Sequence, residues 1–511
     1  MTTPADLSAL AEPSLAPVTE AFLTVLGRGG LTEFPLTGLD RVGVPVWAAW
    51  WSDPSWPPAG AGSGGIGYGP TEQRARVGAL GELIEHVCAL RSIRAAPRVE
   101  GSLAELRRGG GGEAAIDPRL LCMPAGVEFT DERVLQWLPM RRLHDDVEVL
   151  VPAELVASSP EELPGAGPPG GWLTGPISNG LGAGSSLEQA TAHAILEVLQ
   201  RDGNGLAFRA LDAGMVLDLD GVQDPATLDA LGRLAAAGVQ VQAKLAATDL
   251  GLPNIYVVGA APDDDILSAT ACGEAVHPDR EVALRKAVLE FANARARKQF
   301  MHGPLDRVLQ IAPAGYDAVI AAMDPMREEP RVLAAMLQWL RLPHDAWRPL
   351  VEEVVLRRAT TVPFSTLPTV TLPASRQGAA SSLLADLLGR LRAEGYDVLV
   401  ADTSPPGRAG VHAVKVVIPG LEVETVAYGR IGERNAHRLI DAGRDDLVRV
   451  GPQPAGWSRI HLTPDGVQRL GGPAWLDRRA LGAVAGALLP LYREPSRHTA
   501  QKVLAASTTT P

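Results

Sequence analysis

Only three of the 511 residues are cysteine: Cys88, Cys122 and Cys272. They are too few and too scattered for a disulfide framework or a paired CxxC zinc site, so a reduced, cytoplasmic setting is expected. Basic charge is scarce as well. Against 59 Asp+Glu there are 47 Lys+Arg, a net charge of −12. That excludes a non-specific nucleic-acid coat, which needs a basic field. It still permits a phosphate ligand held by a few local groups. No uncharged apolar run reaches the ~18 residues of a membrane span. The start, MTTPADLSALAEPS, lacks the basic n-region and apolar stretch of a secretory signal. There is no GxxxxGK[ST] phosphate loop, no kinase-type glycine-rich loop with its lysine, no internal repeat and no coiled coil.

What is present is ordinary for a folded chain: 46% hydrophobic and 21% charged residues. Length alone suggests about three domains. The pattern of elements suggests one large α+β domain instead, with mixed or antiparallel sheets flanked by long helices. Residues 1–39 are expected to form a short, helical N-terminal lead-in, 40–450 the main domain, and 451–511 a C-terminal extension with a loose tail. Gly43 to Trp51 predicts a buried strand, and Pro57 to Gly69 a flexible glycine-rich loop. Helices are predicted over 71–95, 187–209, 279–300 and 378–395. Strands are predicted near 147–151, 237–245, 254–260, 397–401 and 412–418. In the first helix Leu80, Leu83, Ile84, Val87 and Cys88 make one apolar stripe.

Three helices carry carboxylates or amides on a polar face at spacings of three and four. The first has Glu82, Glu85 and His86. The second has Gln189, His193, Glu197, Gln200 and Arg201. The third has Lys286, Glu290, Asn293 and Arg297. Such spacings put side chains on one helix face. Taken singly, each is a solvated face over an apolar core. Turned toward one another, they would make an oxygen-rich pocket suited to Mg²⁺ carrying a nucleotide. Trp47, Trp50, Trp51 and Trp56 read as core packing before they read as a peptide groove. His193 and His277 are candidate bases, and Cys88 belongs to the core.

The motifs themselves carry a resemblance. Gly67-Tyr-Gly-Pro-Thr71, Ala75 and Gly78-Ala-Leu-Gly-Glu82-Leu-Ile-Glu85-His86 form the first. Ser178-Asn-Gly-Leu-Gly-Ala-Gly184, Glu188-Gln-Ala190 and Glu197-Val-Leu-Gln200-Arg201-Asp202 form the second. Ala283-Leu284, Arg285, Ala287, Glu290, Asn293 and Arg295 form the third. In this order they resemble the signatures of the YcaO family. Membership would imply the YcaO-type fold and an enzyme that uses ATP and Mg²⁺ to phosphorylate a peptide-bond oxygen. A Cys, Ser or Thr nucleophile then gives a thiazoline or oxazoline, as in the maturation of ribosomally made peptide natural products. The resemblance implies Glu82, Glu85, Glu197 and Glu290 as Mg²⁺ ligands and Arg201 as the partner of the triphosphate. It implies Ser178, Asn179, Ser185 and Thr71 as nucleotide contacts. It names no catalytic acid or base.

The sequence departs from the family pattern at six places. Tyr68 stands for a lysine, Gly78 for a serine, His86 for an arginine, Gln189 and Gln200 for glutamates, and Asn293 for a glutamine. The proline-spaced tail of azoline-forming members is replaced by Thr508-Thr-Thr-Pro511. Two alternatives therefore stay open: a catalytically degenerate member serving as a peptide-binding scaffold, and a thioamide- or amidine-forming enzyme. The expected partners are a precursor peptide and a separate leader-peptide-binding protein, because residues before 40 are too few for such a domain. A homodimer is plausible by resemblance. Neither nucleic acid nor membrane is expected.

Overall fold

The computed structural model describes residues 15–52, 62–109, 115–165, 167–207, 211–372, 376–407 and 410–508. The chain enters through α1 (Ala16–Leu26) and a three-stranded antiparallel sheet of β1 (Leu31–Pro35), β2 (Val46–Ser52) and β3 (Gly62–Tyr68). Helix α2 (Glu72–Ala95) covers that sheet. Strands β4 (Val99–Ser102), β5 (Val134–Arg142) and β6 (Glu148–Pro152) follow. Next come β7 (Leu181–Gly184) and α3 (Leu187–Ala207). Strands β8 (Met215–Asp218), β9 (Gln240–Ala247), β10 (Asn254–Ala260) and β11 (Gly273–Val276) lead into α4 (Arg280–His302).

Strand β12 (Thr360–Pro363) completes a five-stranded sheet of order β11-β10-β9-β8-β12. Its β8–β12 pair is parallel and its other pairs are antiparallel. After α5 (Arg376–Ala393), β13 (Leu399–Asp402) and β14 (His412–Val417) join the six-stranded antiparallel sheet of order β4-β5-β13-β14-β7, with β6 on β5. A small sheet of β15 (Val448–Val450), β16 (Ser458–Arg459) and β17 (Ala474–Leu476) spans residue 450. The last described element is α6 (Thr499–Thr508). This is the mixed α+β architecture expected. No described helix is long and apolar enough to cross a membrane.

The long helices each bury the stripe that their periodicity marks. On α2, Leu80, Leu83, Ile84, Val87 and Cys88 pack with Phe22 and Leu26 of α1. Helix α3 places Ala190, Ala194, Ile195 and Val198 against Val414 and Val416 of β14 and Leu387 and Leu391 of α5. In α4, Leu284, Ala287, Val288 and Phe291 meet Ile255 and Val257 of β10. At about 25 cal/mol per Å² of apolar surface, these contacts dominate what holds the layers together.

Three local expectations are corrected. Within Pro57 to Gly69, residues Gly62–Tyr68 form strand β3, and Pro57 to Ala61 lie outside the described residues. The glycines there serve close packing. A Cβ on Gly67 would stand 2.1 Å from both the Ala75 carbonyl oxygen and the Ala79 nitrogen of α2. Within the lead-in, Leu31–Pro35 is a strand paired along its whole length with β2. The C-terminal end is helical to Thr508, because α6 packs beside α4 and the helix Pro330–Arg341. Of the tryptophans, Trp51 is core, Trp50 is half-buried, and Trp56 lies outside the described residues.

Candidate functional site

Three strand–helix pairs, β3–α2, β7–α3 and β11–α4, are built alike. Each strand carries a glycine pressed onto the backbone of its helix. A Cβ at Gly182 would lie 2.2 Å from the Ala190 carbonyl oxygen. One at Gly273 would lie 2.1 Å from the Ala287 oxygen and the Phe291 nitrogen. Real contacts of that kind do not occur, so only glycine fits. The close approach brings strand N–H groups within reach of helix carboxylates. Ile66 N–H donates to Glu82 (2.7 Å), and Gly180 N–H donates to Glu197 (3.0 Å). Ala183 N–H of β7 donates across to Glu85 of α2 (2.9 Å), joining two of the pairs.

The three polar faces converge. Glu82, Glu85, His193, Glu197, Gln200, Arg201, Lys286, Glu290, Asn293 and Arg297 line one open cleft of about 1570 Å³. Enclosure by protein and mutual repulsion act together on the carboxyls. Burial, then the neighbouring Glu197, pushes Glu82 up to about 7, although its side chain touches cleft solvent. Burial, then Glu274, does the same to Glu290, also to about 7. Burial raises Glu85 and Glu197 too, and Glu197 and Glu82 add their repulsion at Glu85. Glu274 holds the Arg201 guanidinium charged at a distance of 3.5 Å. Burial lowers Lys286, whose charge is partly offset by Glu290.

Of the residues singled out by resemblance, Glu82, Glu85, Glu197, Glu290, Arg201 and Ser185 line this cleft. Thr71, Ser178 and Asn179 are not among its described lining residues. Thr71 caps α2, its Oγ1 accepting from Arg74 N–H at 3.3 Å. Ser178 and Asn179 lie in the segment that leads into Gly180 and β7. There the buried Lys415 donates to the carbonyls of Ile177 (2.8 Å) and Asn179 (2.6 Å). That lysine fixes the turn that aims Gly180 N–H at Glu197. The departures sort physically in the same way. Gln189 uses its carbonyl oxygen on the Ser185 N–H and hydroxyl (3.0 and 2.9 Å). Tyr68 donates to Glu290 at 3.3 Å. His86 is not among the described residues that line the cleft.

Four contributors escaped sequence reasoning: Glu274, Lys415, Glu494 and Arg497. Glu274 sits at 5% exposure on β11 and also receives Asn204 Nδ2 (2.8 Å). A single charge in the apolar run Ala271-Cys-Gly-Glu-Ala-Val276 was its signal. Lys415 interrupts strand β14 in the same fashion. Glu494 and Arg497 arrive from a segment with no periodic pattern. His193 and His277, the candidate bases, both line the cleft. His277 is buried, and burial and then Lys286 lower it to about 4. His193 is 48% exposed and lies 3.7 Å from Glu85, so it stays open to cleft solvent.

Residues 66–422 match the family model described as YcaO cyclodehydratase, ATP- and Mg²⁺-binding. The chain belongs to the YcaO family. An uncharacterized protein of Methanothermobacter thermautotrophicus is 28% identical over 426 residues, covering 81% of this chain and 94% of that one. YcaO from Methanopyrus kandleri, bound with AMPPCP and Mg²⁺, superposes with a TM-score of 0.55 at 19% identity, covering 82% of this chain and 93% of that one. A heterocyclase in complex with substrate and cofactor gives a TM-score of 0.59 at 18% identity over 84% of this chain. This YcaO protein spans 55% of that heterocyclase's length. At such identities the likeness is one of fold.

The donor set of this YcaO protein suits a magnesium nucleotide. All the candidate ligands are hard carboxylate oxygens. Among the described residues no group of three or more His, Cys, Asp or Glu side chains is placed to hold a metal ion by itself. Mg²⁺ carried by a nucleotide takes only one or two protein carboxylates, so a cage is not required. Asn293 Oδ1 and Arg201 Nε, both on cleft-lining residues, are buried without a hydrogen-bond partner. Orphaned polar atoms of this kind cost stability unless a ligand satisfies them.

Proposed function

We propose that this YcaO protein activates a peptide backbone amide by O-phosphorylation at the expense of ATP. The reaction we assign is cyclodehydration of Cys, Ser or Thr to an azoline in the maturation of a ribosomally made peptide. One observation carries the reading: four carboxylates from three separate strand–helix pairs face one cleft together with Arg201 and Lys286. A structural role alone gives no reason to gather five glutamates, Glu274 included, at one place.

ATP with Mg²⁺ supplies the phosphoryl group that turns a poor leaving group, the amide oxygen, into a good one, and neutralises its charge. Glu82, Glu85, Glu197 and Glu290 are the carboxylates from which the cation would draw its one or two protein ligands. Arg201, kept in place by Glu274, offers a planar fork to phosphate oxygens. Lys286 adds a compact charge beside Glu197 and Glu290. In the peptide, the side-chain nucleophile adds to the amide carbon and the resulting oxyanion takes the γ-phosphoryl. ADP is released in that transfer; phosphate then leaves with the former amide oxygen as the amide nitrogen gives up its proton and forms the C=N bond of the azoline. The chain's work is to position these groups and exclude water.

The test uses a Cys-containing peptide whose preceding carbonyl is labelled with ¹⁸O. Cyclodehydration lowers the peptide mass by one labelled water and delivers the label to inorganic phosphate. Label in phosphate with sulfur or nitrogen gained by the peptide would assign the thioamide or amidine reaction instead. Unlabelled phosphate and an unchanged peptide would refute amide activation.

A further inference from the structure

The cleft has an apolar side as well as a charged one. Phe22, Phe34, Trp50 and Phe300 line it, and Arg497 stands among them. The guanidinium carbon of Arg497 lies 3.7 Å from the centroid of the Trp50 ring, a cation–π contact. Arg201, Arg285 and Arg297 each face a carboxylate, namely Glu274, Asp224 and Glu494. Arg497 has no carboxylate within ion-pair distance among the described residues.

The segment that carries it is strapped down on both sides. Glu494 takes a two-pronged bond from Arg297 of α4 (2.7 and 3.0 Å). His498 N–H donates to the Met301 carbonyl at 2.6 Å, and its ring meets the Tyr316 hydroxyl at 3.1 Å. His498 is fully buried and has a φ of 64°, a conformation non-glycine residues adopt only when their surroundings enforce it. Trp50 is placed with equal care. It lies opposite Gly64 in the β2–β3 register, and a Cβ on Gly64 would stand 2.8 Å from the indole. Gly64 is one strand repeat, roughly 7 Å, from Ile66, whose N–H holds Glu82. Arg497 and the four carboxylates line the same cleft.

We propose that Arg497, stacked on Trp50, is a specificity determinant that binds a carboxylate of the peptide substrate beside the residue to be modified. The proposal rests on the peptide-modifying reading above and narrows its substrate class to peptides with an acidic group next to apolar residues. An indole-backed guanidinium keeps its planar fork free for two carboxylate oxygens. The triphosphate has Arg201 and Lys286 on the opposite, charged side of the cleft.

The experiment is affinity selection of synthetic randomised short peptides on the full-length protein, read by mass spectrometry. One library ends in a free carboxylate and one in an amide. The wild-type protein should enrich acidic peptides about tenfold, the worth of one charge-assisted contact. R497Q should abolish the enrichment, and R497K should keep part of it. Enrichment in both libraries assigns the carboxylate to a side chain; enrichment in the free-acid library alone assigns it to the C-terminus. W50L, which keeps the charge but removes the stack, should also lose most of the preference, so the test survives if R497Q does not fold. The proposal is overturned if no acidic peptide is enriched, if folded R497Q enriches them equally, or if R497Q loses AMPPCP affinity while keeping the acid preference. A protein that selects acidic peptides yet binds no Mg²⁺–AMPPCP would refute the amide-activation reading separately.

Discussion

Replacing Gly67 by alanine should damage the nucleotide site from outside it. The new Cβ would lie 2.1 Å from two α2 backbone atoms, against the 3.4 Å where ordinary contact begins, so β3 and α2 must part by about 1.3 Å. Backbone cannot yield as a flexible side chain does. Overpacking of this kind costs about 1–3 kcal/mol, of which the stiffer alanine returns less than about 1 kcal/mol. The larger effect falls on Glu82. Its 2.7 Å bond from Ile66 N–H, the residue next to Gly67, is lost when the strand and helix separate. Losing a partner that orients a metal-holding carboxylate costs roughly 10–100-fold in metal affinity. We expect Mg²⁺–AMPPCP affinity, measured by calorimetry, to fall by about that factor while far-ultraviolet circular dichroism stays native. Gly232, with nothing within 4 Å of its Cβ position, is the control. G232A should bind normally and gain up to about 1 kcal/mol in helix propensity. Wild-type affinity in G67A would refute the close-packing argument.

Two further perturbations have defined outcomes. Glu82 and Glu290 keep their protons to about pH 7, above the ordinary 4.5. The nucleotide-free protein therefore loses stability from these groups as pH rises from about 4.5 to 7, and Mg²⁺–nucleotide binding strengthens over pH 6 to 8 with proton release. Calorimetry in two buffers of different ionisation enthalpy measures that release; a buffer-independent heat at pH 6.5 would contradict it. E494A leaves Arg297 unpaired and should cost about 2 kcal/mol in thermal or denaturant unfolding, with faster amide exchange at residues 494–498. Unchanged exchange there would show that Glu494 is not the anchor of Arg497.

The long helices were legible because a 3.6-residue period writes itself along the chain. Leu80, Leu83, Ile84, Val87 and Cys88 are all buried as that period requires. The same period put Glu82 with Glu85, and Glu197 with Arg201, on common faces. That those faces meet is a property of the strands beneath them, each far in sequence from the other two. Strand β3 was hidden because glycine, read locally, means a loop. Only the neighbouring helix backbone shows why no Cβ fits at Gly65 or Gly67. Ser178 and Asn179 stand where the family pattern has them, yet Lys415 turns their segment into a brace for Gly180. Arg497 was invisible because cation–π stacking and a left-handed His498 leave no spacing to read.

Glutamates from three strand–helix pairs are proposed to supply the protein ligands of one magnesium-nucleotide site. Calorimetric titration of the wild-type protein and E197A with AMPPCP, with and without Mg²⁺, tests it most directly. The account predicts Mg²⁺-dependent binding to the wild type, weakened at least tenfold in E197A, about 1.4 kcal/mol. Folded wild-type protein that binds no nucleotide at millimolar concentration, or E197A that binds as well as wild type, would contradict it.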